Sequence, residues 1–367
     1  MEKKSKVVIM YLLWDQEPCE FLEDAIEGVI KQSYPKELTE FLIVYNSHRP
    51  ENKSACSFIR EEIEKCKEDL PHVTILEQEK NLGFSGGNNL GMQWGVDHGF
   101  DYVFLHNGDG YLGPNCLDEL LTVMDGDEKI GAAQSLVLLH PDTDKINSAG
   151  NCLHYLGVGY CDLYKVKKDQ ANLPAIKDVG YLSGAAIMMR TDLLKEYGLW
   201  DEDYFMYHED TDYSLRLRLV GYRIVLARDS EFFHKYSFSG RISKYFWIER
   251  NRISLWVVFY KWPTILLLLP IDFLFELGLI LFSIKNGWFK DRVKVYIYWL
   301  TPSNLKLWLK KRKKWQGIRK INDRELLRDA VSTINFQEKV VENPLVKYIA
   351  NPVMFVYWAV AKRLMWW

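Results

Sequence analysis

The chain has no C-x-x-C pair and no cysteine spacing suited to a metal. Its six cysteines, Cys19, Cys56, Cys66, Cys116, Cys152 and Cys161, therefore read as reduced core thiols. The opening run MEKKSKVVIM lacks a small-residue cleavage site, so the expected compartment is the cytoplasm. A net charge of only −2 excludes a global attraction to nucleic acid, and no recognised nucleic-acid module is present. The glycine-rich stretch from Asn81 to Gly91 fits neither a G-x-G-x-x-G nor a P-loop. With 48% hydrophobic and 26% charged residues, the chain can bury a large core and is not disordered.

The first two-thirds alternates short apolar runs with longer amphipathic ones. KVVIMYLLW, EFLIVYN, HVTILEQ and DYVFLHN predict strands; CEFLEDAIEGVIKQ, SACSFIREEIEKC, NNLGMQWGVDHG and CLDELLTVMD predict helices. Such alternation predicts an α/β fold, a mostly parallel sheet with helices on both faces, whose ligands bind beyond the carboxyl ends of the strands.

Three stretches stand where such ligands would bind. The first, NLGFSGGNNLG, places four glycines and three asparagines in eleven residues between a strand and a helix. Its expected form is a loop with Asn88 or Asn89 as N-cap: either a tight turn, or an anion site built from bare backbone N–H groups. The second, LHNGDG, sets Asn107 and Asp109 two residues apart after a buried strand, as an Asp-Gly turn or as an amide and carboxylate sharing a divalent cation. The third, DEDYFMYHEDTDYSLRLRLVG, packs acids around a helix start. Capping explains Asp212. It does not explain Glu209 and Asp210 behind the aromatic run, where a partly desolvated carboxylate would serve as general base. The next strand closes on His234.

In the order NLGFSGGNN, LHNGD, GYLSGAAIMMR and DEDYFMYHEDTDYSLRLRLVGYRIVLARDSEFFHK, the chain resembles the rhamnosyltransferase-like and galactofuranosyltransferase-like branch of the family 2 glycosyltransferases. The match spans about Lys6 to Ser239. The resemblance implies a GT-A fold, a nucleotide-diphosphate-sugar donor, a divalent metal (Mg2+ or Mn2+) and inversion at the anomeric carbon. It also implies residue roles. Asp109 matches the last acid of the family's metal-binding element, with Asn107 at its first position, and His234 matches a histidine that completes the metal site in some members. Asp210 matches the catalytic base, with Glu209 beside it. Gly83, Phe84, Gly86, Gly87 and Asn88 would approach the donor nucleotide and its diphosphate, together with Asn107, Ser183 and Gly184. The chain departs from the family pattern at IVYNSHRP, where Tyr45 and Asn46 replace the usual nucleobase-contacting acid, and at NGD, which has one acid instead of two. A nucleotidyltransferase and a catalytically silent scaffold of a glycan assembly complex are the competing classes.

The last third differs in composition. From Arg241 to Lys320 there are 17 Lys/Arg against four Asp/Glu, and ten of the 13 tryptophans follow residue 240. The expected organisation is a catalytic domain over 1–240 and a helical, Trp-rich, basic extension over 241–367. Aromatic and basic residues at helical intervals suit an interfacial segment on anionic lipid. The apolar run around 265–284 is long enough to span, yet Pro270, Asp272 and Glu276 interrupt it, and an acid at mid-bilayer costs roughly 2–3 kcal/mol. The preferred expectation is helices lying on the cytoplasmic face of a membrane, where the acceptor would be a lipid-linked saccharide. A true span, a soluble helical subdomain and a homo-oligomer contact stand as alternatives.

Overall fold

The computed structural model describes residues 4–14, 17–46, 54–236, 244–335 and 344–367. The strands are β1 (Val7–Leu13), β2 (Thr39–Asn46), β3 (His72–Gln78), β4 (Tyr102–His106), β5 (Gly110–Leu112), β6 (Ile130–Leu139), β7 (Ile146–Ser148), β8 (Asn151–Leu153), β9 (Gly159–Cys161), β10 (Ile176–Asp178), β11 (Ala186–Arg190) and β12 (Arg223–His234). The helices are α1 (Cys19–Ile30), α2 (Ser54–Lys65), α3 (Gly83–Asp97), α4 (Cys116–Gly126), α5 (Thr191–Tyr197), α6 (Glu209–Leu219), α7 (Tyr245–Phe259), α8 (Trp262–Lys285), α9 (Phe289–Leu300), α10 (Pro302–Gly317), α11 (Asp323–Leu326) and α12 (Asn351–Leu364).

The alternation expected from the sequence is present. β3-β2-β1-β4 form a parallel half-sheet, and β1 is buried on both faces because helices cover both. Beyond β4 the sheet is mixed: β11 runs antiparallel to β4 and β6, while β6 and β12 are parallel. Two apolar clusters, one on each side of the sheet, form the core.

The glycine-rich stretch is a helix, not the expected loop. α3 starts at Gly83 after Leu82, and Asn88 and Asn89 lie inside it, so neither is an N-cap. The glycines serve close packing. Gly83, at φ 74°, makes the turn into the helix as the tight-turn reading expected, whereas Gly87, Gly91 and Gly95 recur every fourth residue and line the face toward the sheet. A Cβ on Gly87 would meet Leu12 at 2.7 Å, one on Gly91 would meet Met10 at 2.2 Å, and one on Gly95 would meet Val103 at 2.7 Å. α3 therefore lies against the sheet at backbone distance, with its N-terminus at the strand ends.

The 240/241 boundary lies outside the described residues. The helices that follow it share the larger core cluster with the sheet. Tyr155 stacks on Trp358 at 4.6 Å, Trp308 meets Tyr204 edge-on at 5.2 Å, and Arg218 pairs with Asp329 at 2.9 Å.

Candidate active site

The parallel strands deliver their carboxyl ends to one edge, where three sequence motifs meet. Gly110 of β5 pairs with His234 of β12, which brings Asp109 beside the histidine. His234 Nε2 lies 2.7 Å from Asp109 Oδ1, and its Nδ1 faces Asn147 Oδ1 at 2.9 Å. Asn107 Nδ2 donates to the same Asp109 oxygen. Burial alone would raise the Asp109 carboxyl, but hydrogen bonding and charge from His234 hold it below the ordinary carboxylate range. Glu17, which sequence reasoning missed, is pushed up to about 7 by burial and then by the charge of Asp109.

Asp109 and His234 are the residues that could hold a divalent cation. Without a metal, Nε2–H can donate to Asp109; with one bound, Nδ1–H donated to Asn147 Oδ1 would turn the Nε2 lone pair and the carboxylate oxygen toward the ion, the amide fixing the imidazole. Among the described residues no group of three or more His, Cys, Asp or Glu is gathered, so further ligands would come from the diphosphate and water.

The base candidates sit in the first turn of α6. Asp210 Oδ2 accepts from Gly184 N–H at 3.1 Å, and Oδ1 accepts from Thr211 N–H at 2.6 Å and from its hydroxyl at 3.2 Å. Burial pushes Asp210 up to about 6, and the three hydrogen bonds keep it from rising further. Glu209 is driven well above the ordinary range by burial and by the neighbouring Asp210 charge, and its Oε2 has no hydrogen-bond partner. The pair therefore favours sharing a proton, with Glu209 the more strongly raised of the two.

Gly184 joins the motifs. A Cβ there would lie 3.2 Å from Trp200, 3.5 Å from Phe84 and 3.7 Å from Asp210 Oδ2. Next to it, Ala185 O accepts from Asn107 N–H at 3.0 Å. Asp210, the start of α3 and the Asn107–Asp109 element are therefore linked through two consecutive residues. Ser183 is held by Gln134, whose Oε1 accepts its N–H at 2.7 Å. Gly83 lies under Phe205, and Gly86 near Leu82 and Glu202. Gly87 faces Leu12 and Asn46. Asn88 is fully buried, its Nδ2 donating to Phe84 O at 2.9 Å and its Oδ1 without a protein partner. At the position of the family's nucleobase acid, Asn46 accepts from Leu82 N–H and donates to Gly83 O, each at 2.9 Å, fixing the turn into α3.

The chain enters α6 through an unusual backbone. Phe205, Tyr207 and His208 have φ of 63°, 63° and 67°. Met206 N–H returns to Tyr204 O at 2.7 Å, closing a γ-turn on Phe205. Left-handed non-glycine residues cost on the order of 1–3 kcal/mol each and persist where the surroundings over-determine them. Those surroundings are α7 and α10. Asn251 and Arg250 hydrogen-bond the loop carbonyls, and Lys311 pairs with Asp201 and Asp203 at 2.5 Å. Sequence reasoning missed Asn251 and Arg250; the signal was ERNR, four polar residues between the apolar runs YFWI and ISLWVVF.

A family model described as "Glycosyltransferase like family 2" matches residues 12–317. The N-acetylglucosaminyl-diphospho-decaprenol L-rhamnosyltransferase of Mycobacterium tuberculosis is 28% identical over 189 residues, 45% of this chain and 59% of that protein. The low-salt glycan biosynthesis hexosyltransferase Agl10 of Haloferax volcanii is 24% identical over 186 residues, 49% of this chain and 54% of that protein. The chain thus spans little more than half the length of these curated relatives. Among solved structures, GalNAc-T7 with UDP, GalNAc and Mn2+ superposes at a TM-score of 0.54 and 14% identity, over 71% of this chain and 49% of that one. S. aureus TarS 1-349 gives 0.50 at 14% identity, over 98% and 90%. At such identities the structures speak to the fold alone, and they agree with the GT-A-type α/β architecture.

Proposed function

We propose that this chain, which belongs to the family 2 glycosyltransferases, is an inverting enzyme that moves a hexosyl-type sugar from a nucleotide-diphosphate sugar to a hydroxyl of a lipid-linked saccharide. The observation that carries the reading is the convergence at Gly184: a carboxylate raised by burial lies beside the N-terminus of a helix and beside the Asn107–Asp109 element.

Asp210 takes the proton from the acceptor hydroxyl as that oxygen attacks the anomeric carbon. The bond to the diphosphate breaks with its electron pair leaving on the phosphate oxygen, and one in-line displacement inverts the carbon. Burial and the Asp210 charge favour the neutral form of Glu209, which would leave the negative charge of the pair on Asp210. The N–H groups of Phe84 and Ser85, in the first turn of α3, would face the donor's negative charge. Asp109 and His234 would hold Mg2+ or Mn2+, which when bound supplies positive charge to the diphosphate leaving group. A lipid-linked acceptor is supported by the name of the mycobacterial relative, which carries a diphospho-decaprenol acceptor.

The acceptor would be met at the cytoplasmic face of a membrane. α8 has mean hydropathy 2.4 over its most apolar window and only 11% of that window is buried. Its exposed residues Leu266, Leu269, Phe273, Leu277 and Leu281 follow one another at three or four positions and form one stripe. α12 exposes Val353, Phe355, Val356 and Val360 beside it. These faces support helices lying on lipid. A panel of nucleotide sugars, scored for binding, slow hydrolysis and transfer to a polyprenyl-diphosphate saccharide, tests the assignment; no turnover of any donor would favour the silent scaffold.

A further inference from the structure

We propose that Asn251, supported by Arg250, is a positioning residue: from α7 it holds the left-handed turn at residues 204–208 that aims the Asp210 carboxylate. The inference rests on the glycosyltransferase reading for its purpose and on the geometry of the turn for its substance.

The turn cannot hold itself. Three of its residues lie in the left-handed region and none is glycine, so the free chain would relax to ordinary conformations. Among the described residues, side-chain hydrogen bonds to its carbonyls come from two consecutive residues of α7. Asn251, with no exposed surface, places its Nδ2 at 3.1 Å from Tyr204 O, 2.9 Å from Met206 O and 2.7 Å from Tyr207 O. Two N–H bonds are thus shared among three acceptors. Arg250 Nη2 donates to Asp203 O at 2.6 Å and to Tyr204 O at 3.0 Å, while its Nε donates to Asn251 Oδ1 at 2.7 Å and fixes which end of the amide faces the turn. Arg250 is itself seated over the rings of Trp247, Tyr298 and Trp308. The last clamped carbonyl is three residues before Asp210, too near for a shift in the turn to spare the carboxylate.

The amide is the needed group. An aspartate would set a carboxylate against three carbonyl oxygens, and alanine would take the side-chain donor from Met206 O and Tyr207 O, leaving Tyr204 O with only Arg250 and Met206 N–H. The segment after residue 240 therefore completes the catalytic centre, and removing it would disable the base besides any loss of lipid contact.

The test compares full-length wild type with Asn251→Ala and Asn251→Ser, the latter keeping one O–H donor if the alanine variant folds poorly. Amide hydrogen exchange, which needs no activity, is expected to quicken about tenfold or more across residues 204–212 in the alanine variant, with β1 and β2 unchanged. Turnover with nucleotide sugar and acceptor is expected to fall about 10–100-fold, serine lying between, while nucleoside diphosphate affinity stays within about twofold. Unchanged exchange in 204–212 overturns the clamp. Quickened exchange with undiminished turnover overturns its role in positioning the base. A wild type inactive on every donor overturns the glycosyltransferase reading instead, with the exchange result still deciding the clamp.

Discussion

Arg252 of α7 donates to Glu276 of α8, so an acid that interrupts the apolar run of α8 points into the protein instead of toward its exposed stripe. Arg292 of α9 binds the same carboxylate, Asp272 lies 3.5 Å from Arg252, and both arginines are almost wholly buried. The acids therefore leave one apolar face uninterrupted, which suits a helix lying on lipid with the network beneath it.

From this follows a prediction on lipid. Phe273 and Leu281, 64% and 68% exposed, touch little of the protein, so Phe273→Asp with Leu281→Asp should fold normally. Burying such a side chain contributes about 1.5–3 kcal/mol, so the double variant should lose at least about tenfold of its binding to anionic vesicles. Flotation at low and high salt checks this; a full-length protein that stays soluble in both and forms a discrete homo-oligomer would assign the face to self-association.

The pH dependence has a definite sign. Asp210 acts only when ionised, and its carboxyl is raised to about 6 by burial, so kcat should fall about tenfold per pH unit below about 6 and level off above about 7. The same group should stabilise the fold at low pH. Its folded-state value exceeds the unfolded one of about 3.9, so this contribution is present in acid and is lost as pH rises from about 4 through 6. A pH–rate profile together with melting curves reads both; an acid limb near 4 would show Asp210 to be ordinarily solvated.

Asp109→Ala should abolish the gain in donor affinity that Mg2+ or Mn2+ brings, and His234→Ala should weaken it, because the two groups lie 2.7 Å apart and share one site. Calorimetry with and without chelator measures it. Equal wild-type affinity in both conditions would remove the metal.

Gly91→Ala should destabilise the fold by about 1–3 kcal/mol, the usual cost of overpacking, because its Cβ would come 2.2 Å from Met10. Urea unfolding shows the shift in midpoint, and an unchanged midpoint would mean that α3 can lift from the sheet.

The strands β1 to β4 were legible because each is a short apolar run closed by polar residues, and β3 falls at His72–Gln78, the bounds of HVTILEQ. The glycine-rich stretch was misread. Glycine signals a loop by propensity, whereas the four-residue recurrence from Gly87 to Gly95 signals close packing, and only Leu12, Met10 and Val103 across the interface show which applies. Asp109, Asp210 and His234 could be named from motifs. Their supports Asn147 and Asn251 could not, since their meaning depends on tertiary partners at residues 234 and 204–207. The inward turn of Glu276 was likewise hidden, because its partners Arg252 and Arg292 lie on other helices.

The central claim is that Asp210 is the base of a sugar transfer, and single-turnover kinetics of Asp210→Asn against wild type test it most directly, with a donor identified by the nucleotide-sugar panel and its affinity measured alongside. The substitution keeps size and removes basicity, so transfer should drop by about 10²–10⁴ with donor affinity within about threefold, and Glu209→Gln should lose much less. Transfer by Asp210→Asn at near the wild-type rate would contradict the account.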